Sequence, residues 1–167
     1  MLIRAEEEND RATVYALHAS AFATAAEADL VNALREQARP LVSLVAEDNG
    51  TVVGHILFSP VSLSGRSGLS LMGLAPMAVA PQRQRQGFGS ALVRAGLDQC
   101  KQLGAGAVVV LGHPDYYPRF GFVPSTHFNI GCEYDVPEEA FMAVELQLGY
   151  LRGMSGTVKY HPAFSSV

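Results

Sequence analysis

The sequence contains no tryptophan and only two cysteines, Cys100 and Cys132. They form no CxxC pair, and the five histidines show no HExxH or comparable ligand spacing, so the expectation is free thiols and no structural metal. No apolar run approaches the ~18 residues of a membrane span. The start, MLIRAEEEND, is charged and acidic where a signal peptide is basic and then apolar, which points to a cytoplasmic chain without a membrane partner. Positive charge is also scarce. With 12 lysines and arginines against 16 acidic residues, the formal charge of −4 argues against a general nucleic-acid binder, which carries a net basic face. A Walker A loop is missing, and so is the GxSxG elbow of an acyl-enzyme hydrolase. Repeats and low-complexity tracts are absent too.

What remains is 167 residues, 49% of them hydrophobic, enough for one domain over residues 1–167 with one core. Residues 2–4 fit a short strand, and residues 10–22 fit a helix with Val14, Leu17, His18 and Ala21 at helical spacing. Thr24 and Glu27 have the spacing of a capping box. They open a second helix whose stripe of Leu30, Val31, Leu34 and Ala38 ends at Pro40. The period then changes. Residues 41–47 and 51–58 are rich in branched side chains and flank Asn49-Gly50, the signal of a hairpin with a type I′ turn. Residues 69–79 form another strand, residues 87–103 a helix capped by Gly104, and AVVVL at 107–111 a strand buried on both faces. Strand, helix and strand in that order imply a right-handed parallel crossover. Residues 116–120 fit a short helix. Residues 141–148 alternate, with Met142, Val144, Leu146 and Leu148 on one face. The fold class is α/β, a mixed sheet with antiparallel strands around one central crossover.

The chemistry concentrates in LAPMAVAPQRQRQGFGSALVRAGL, where an apolar strand runs through a basic, glutamine-rich loop into a helix. The first turn of a helix has unpaired N–H groups and the positive end of the macrodipole, so a loop that enters it closely forms an anion site. Glycines at 87 and 89 keep side chains away from those amides, and Arg83 and Arg85 add charge beside them. Gln84, Arg85, Gln86, Gly87, Phe88, Gly89 and Ser90 therefore read as a pyrophosphate cradle. A dinucleotide fingerprint fails here, because Leu92 occupies the place of its third glycine. Spacing alone also allows a tight strand-to-helix turn.

QRQGFG, following LAPMAVAP, is similar to the acetyl-CoA-binding motif of the GNAT superfamily of N-acetyltransferases, which reads Gln or Arg, two residues, Gly, one residue, then Gly or Ala. YYPRFGF resembles the end of the GNAT core, where a tyrosine stands four positions before a Gly-Phe pair; Tyr117, Gly121 and Phe122 satisfy this. GHPDYYPRFGF also resembles a bacterial branch of predicted acetyltransferases. The resemblance implies a GNAT-like domain in which two parallel strands splay around the cofactor helix, and acetyl-CoA as co-substrate without a metal. Its pantetheine arm would pair with the backbone of Met77, Ala78 and Val79, one of whose amides would meet the developing oxyanion. His113 would stand beside the arm. Pro76 and Pro81 bracket that segment and cannot donate to a ladder, which is consistent with irregular pairing there.

Acetyl transfer to a primary amine by direct attack in a ternary complex needs an acid for the leaving thiolate and relief for the protonated amine. The resemblance makes Tyr117 the general acid and Tyr116 a packing residue or substrate wall. Many GNAT enzymes carry a glutamate on the strand before the cofactor loop; residues 69–79 hold no acidic residue. Two residues remain for the base. Glu27 lies in a helix that walls the acceptor site in this superfamily, although a capping box would explain it. His55 interrupts the apolar strand VVGHILF, where a histidine is commonly a satisfied core group. The missing strand glutamate also admits a catalytically weak acyl-CoA-binding sensor. The acceptor, a small-molecule or peptide amine, is not selected by any residue, and the late strands with the tail YLRGMSGTVKYHPAF could bury a second copy in a homodimer.

Overall fold

The computed structural model describes the backbone of residues 1–167. Its elements run β1 (Leu2–Ala5), α1 (Arg11–Ala21), α2 (Ala26–Gln37), β2 (Val42–Asp48), β3 (Thr51–Leu63), β4 (Leu71–Val79), α3 (Phe88–Gln102) and β5 (Ala107–Leu111). The last third adds β6 (Val123–Pro124), β7 (Ile130–Cys132), β8 (Phe141–Glu145) and β9 (Gly156–Lys159), joined by short 3-10 turns. The main sheet has the order β1-β2-β3-β4-β5-β8-β6, and β9 joins the far end of β3 to β7. β4 and β5 are parallel neighbours across the α3 crossover; the pairs from β1 to β4 are antiparallel. No helix among the described residues is long and apolar enough to cross a membrane.

Alternation along β3 divides the core between the two faces. Ile56 and Phe58 meet α3 residues Leu92, Val93 and Cys100, whereas Leu57 joins Val14 of α1 and Leu30, Val31 and Leu34 of α2. The hairpin turn is as the dipeptide requires, with Asn49 at φ 52° and Gly50 at φ 79°. Helix α3 closes with Gly104 at φ 92°, the Gly104 N–H donating to the Lys101 carbonyl and the Ala105 N–H to the Cys100 carbonyl, the pairing of a Schellman cap.

Two expectations fail. The capping box does not form. The chain bends through residues 22–25, so Ala25 occupies the N-cap of α2 without a side-chain bond, and Thr24 Oγ1 accepts only from the Ala26 N–H at 3.2 Å. Glu27 thus sits one position too early to close a box and has no capping duty. The strand expected over 141–148 stops at Glu145, because the N–H groups of Leu146 and Gln147 turn aside to the Gly106 carbonyl at 2.8 and 3.1 Å. Leu148 is 99% exposed as a result.

Candidate active site

β4 is the element that positions the site. Its parallel register with β5 covers Leu71 to Leu74 and then ends. On the other side β3 follows β4 to its last residue, pairing Met77 with Ile56, Ala78 with His55 and Val79 with Gly54. After Leu74 the two parallel strands therefore separate, and one edge of β4 over residues 75–79 carries no ladder partner.

Two cavities open on this gap. The first, about 600 Å³, lies between residues 77–79 and the loop to α3. Gln84 reaches back and donates from Nε2 to the Val79 carbonyl at 3.3 Å. Arg83 is tied to the Asp48 carboxylate, while Arg85, at φ 64°, stays unpaired among the described residues and lines the cavity. Gly87 is the N-cap of α3, with φ 91° and ψ 0°. A side chain there is strained by the backbone, and the space a Cβ would enter is open. The alternation of positive-φ residues turns successive N–H groups the same way, as in anion-binding nests. The first intrahelical bond of α3 runs from the Ala91 N–H to the Gly87 carbonyl at 3.0 Å, and the N-cap supplies no side chain, so the amides of the first turn face the cavity uncapped. Tyr116 and Arg119 form the opposite wall. The Tyr116 hydroxyl lies 3.0 Å from Ser90 Oγ, and the Arg119 guanidinium stacks 4.5 Å above the Tyr116 ring.

The second cavity, about 510 Å³, lies on the α1–α2 side of the gap. Met77 belongs to both. Tyr117 projects into the second, its ring packed over Gly112, where a Cβ would come within 2.4 Å of Cε2. Tyr117 rests edge-on against Tyr116 and Phe122 at 5.1 and 5.7 Å. Burial, with the Tyr116 hydroxyl beside it, pushes its phenol up to about 12, so it holds its proton at neutral pH. Glu27 and His113 line the same cavity, with aromatic walls from Phe22, Tyr134, Tyr160 and Phe164.

A model of the acetyltransferase (GNAT) family matches residues 7–122. The chain belongs to the GNAT family. It is 40% identical over 166 residues to an uncharacterized N-acetyltransferase, YhbS, of Escherichia coli K12, covering 99% of both chains. The crystal structure of E. coli YhbS in complex with CoA superposes with a TM-score of 0.92 over 98% of this chain and 91% of that one. A GNAT acetyltransferase from Brucella melitensis in complex with acetyl-CoA is 35% identical, with a TM-score of 0.79 over 98% of this chain and 97% of its own. Membership makes the protein an acyltransferase, and the separation of β4 from β5 after Leu74 is the splayed pair that the GNAT resemblance implies.

Not every residue singled out from the GNAT motifs reaches a cavity. Phe88 is 4% exposed and packs in the core, so only its backbone faces the loop, and the Gln86 side chain bonds the Gln82 carbonyl at 3.1 Å. His113 opens on the second cavity and does not line the first. His55 is fully buried beneath α1 and lines neither cavity. Its bonds fix its tautomer. Ser43 Oγ donates to Glu6 Oε1 at 2.9 Å, so His55 Nε2–H donates to Ser43 at 2.8 Å, and His18 Nε2–H donates to His55 Nδ1 at 2.8 Å. Arg35 holds Glu6 at the end of the chain, and His18 Nδ1 has no partner. Burial keeps both imidazoles neutral, lowering His18 to about 4 and His55 well below its ordinary value. A strand that alternates its faces sends His55 under α1, a consequence of register that a single-sequence pattern does not reveal. Sequence reasoning also missed Arg119 and the walls from Phe22, Tyr134, Tyr160 and Phe164. Of these, Arg119 alone stood inside a recognised motif.

Proposed function

We propose that this GNAT enzyme transfers an acetyl group from acetyl-CoA to a primary amine by direct attack in a ternary complex. The observation that carries the reading is that the two cavities share Met77, on the unpaired edge of β4. In this reading the pyrophosphate lies on the amides of residues 84–90 with Arg85 and Arg119 beside it, and the pantetheine arm follows residues 77–79. The CoA and acetyl-CoA complexes of the two similar proteins support this donor. The thioester then ends near Met77, where the amine enters from the second cavity. Residues 1–167 act as one domain, because β9, near the end of the chain, pairs with β3.

The amine nitrogen attacks the thioester carbonyl, whose oxygen gathers charge against a backbone amide of Met77, Ala78 or Val79. Collapse breaks the C–S bond and the thiolate takes the Tyr117 proton; the proton shed by the cationic nitrogen as the amide forms restores the Tyr117 phenol, so the base receives only the proton that the ammonium loses before attack. A phenol near 12 would be a poor acid toward an exposed thiolate. Burial of the reacting groups raises a thiol as well as a phenol, which lessens that mismatch. An amine of ordinary pKa costs about 4–5 kcal/mol to deprotonate at pH 7. Glu27, in the acceptor cavity and free of capping duty, is positioned to receive that proton in place of the absent strand glutamate.

Calorimetric titration with acetyl-CoA tests the reading. Micromolar binding is expected for the wild type, with loss in a Gly87→Val, Gly89→Val variant that still unfolds cooperatively well above the assay temperature. Absence of binding by the wild type would overturn it.

A further inference from the structure

The acceptor cavity is lined by one acidic side chain and many apolar walls, and this combination specifies its ligand more narrowly than the word amine does. Building on the acetyl-transfer reading, we propose that the acceptor is a small monocationic primary amine with an apolar, preferentially aromatic, body and no carboxylate.

Three observations converge. Among the described residues, Glu27 is the sole acidic side chain lining the cavity, and neither lysine nor arginine lines it. Glu27 forms no ion pair among the described residues, so its charge is available to a bound cation. Phe22, Leu30, Leu111, Tyr134, Tyr160 and Phe164 supply the walls, with Tyr160 packed between Tyr134 and Phe164 at ring separations of 5.9 and 5.0 Å. A volume near 510 Å³ lies within the range of small-molecule sites.

The energetics exclude the competitors in turn. A polyamine or an aminoglycoside brings several ammonium groups, and each beyond the first would lose water against aromatic walls with no second acidic side chain to meet it. A free amino acid brings a carboxylate that finds neither lysine nor arginine, only the His113 imidazole and tyrosine hydroxyls, and lies in the field of Glu27. A monoamine with an aromatic or alkyl body pairs its one charge with Glu27, lays its body against the walls and gains apolar burial of roughly 25 cal/mol per Å². Its ammonium can also face the Phe22 or Tyr134 ring. Glu27 thereby serves two stages, first attracting the cation and then accepting the proton that frees the nucleophilic lone pair.

The test is thiol release from acetyl-CoA with phenethylamine, hexylamine, spermidine, kanamycin, phenylalanine and an Ala-initiated tetrapeptide at matched concentration. Phenethylamine and hexylamine should exceed the rest at least tenfold in kcat/KM. Glu27→Gln should lower kcat/KM for phenethylamine at least tenfold while acetyl-CoA binding, measured by calorimetry, is unchanged. Tyr134 is 39% exposed, so Tyr134→Asp adds a second carboxylate at the rim with little risk to folding. It should narrow the gap between phenethylamine and spermidine at least fivefold. Faster turnover of spermidine, kanamycin, phenylalanine or the peptide would overturn the proposal, as would an indifferent Glu27→Gln variant. So would a wild type that binds acetyl-CoA and acetylates no member of the panel. Failure to bind acetyl-CoA at all is a different result and defeats the acetyl-transfer reading instead.

Discussion

The two cavities that meet at Met77 are built in different ways. All the residues lining the first cavity, proposed for the donor, lie between Met77 and Ser90 apart from Tyr116 and Arg119, and most of what they offer is backbone: a free strand edge, uncapped amides and positive-φ turns. The second, proposed for the acceptor, is assembled from the end of α1, the first turns of α2, the β4 bend, the β5 exit and aromatic residues from the last third of the chain. It offers almost entirely side chains. A backbone site binds a ligand common to many sequences, because any sequence that keeps the turn keeps the amides. A side-chain site can change its ligand with a few substitutions and leave the fold alone.

The largest effects should fall on the donor side. Valine at Gly87 and Gly89 places branched side chains in the cradle and forces one into a left-handed backbone, at about 1–3 kcal/mol of strain. Acetyl-CoA affinity should fall at least a hundredfold by calorimetry. A variant that still binds within threefold of wild type would erase the distinction between the two cavities, because the backbone would then not be holding the ligand. Tyr117→Phe comes next. It should lower kcat at least tenfold, about 1.4 kcal/mol in barrier, with acetyl-CoA affinity within twofold of wild type. Unchanged kcat would remove Tyr117 from the chemistry. Arg119→Ala should weaken acetyl-CoA binding by roughly threefold, with a shallower dependence on salt, since an exposed cation is screened by ions. Affinity and salt slope identical to wild type would reduce Arg119 to a clamp on Tyr116.

The same contrast explains what was legible. Gln84, Gly87, Gly89 and the strand before them could be placed because a helix N-terminus and its entry loop are local, although spacing alone left a tight turn open and the GNAT resemblance was needed to read a cofactor loop. The hairpin and the β4–α3–β5 crossover were readable for the same reason. Glu27 was a candidate only through the GNAT resemblance, with a capping role as its rival; that rival falls because the N-cap of α2 is Ala25 and not Thr24, which leaves a free carboxylate in a cavity. Tyr160 and Phe164 arrive at the acceptor cavity only after β9 has docked on β3. No local periodicity encodes that meeting.

The smallest effect on catalysis should come from the buried histidines, which belong to neither cavity and so test whether the two account for the chemistry. His18 titrates at about 4 in the fold, below the ordinary 6.5 that it regains on unfolding, and burial is the main cause; Glu6 opposes the shift and Arg35 adds to it. As pH falls, the unfolded chain takes up the proton first. The stability contributed by the neutral pair is therefore complete above about pH 6.5 and lost progressively as pH falls toward 4. His18→Gln, which can keep one donor toward His55, should flatten the fall in unfolding free energy between those limits, measured by urea denaturation at several pH values. The pH profile of kcat/KM should keep its shape. If instead the acid limb of that profile disappears while the denaturation slope stays as in wild type, the chain from His18 through His55 to Glu6 carries the amine proton. The base would then lie beneath α1, and Glu27 would be left with binding alone.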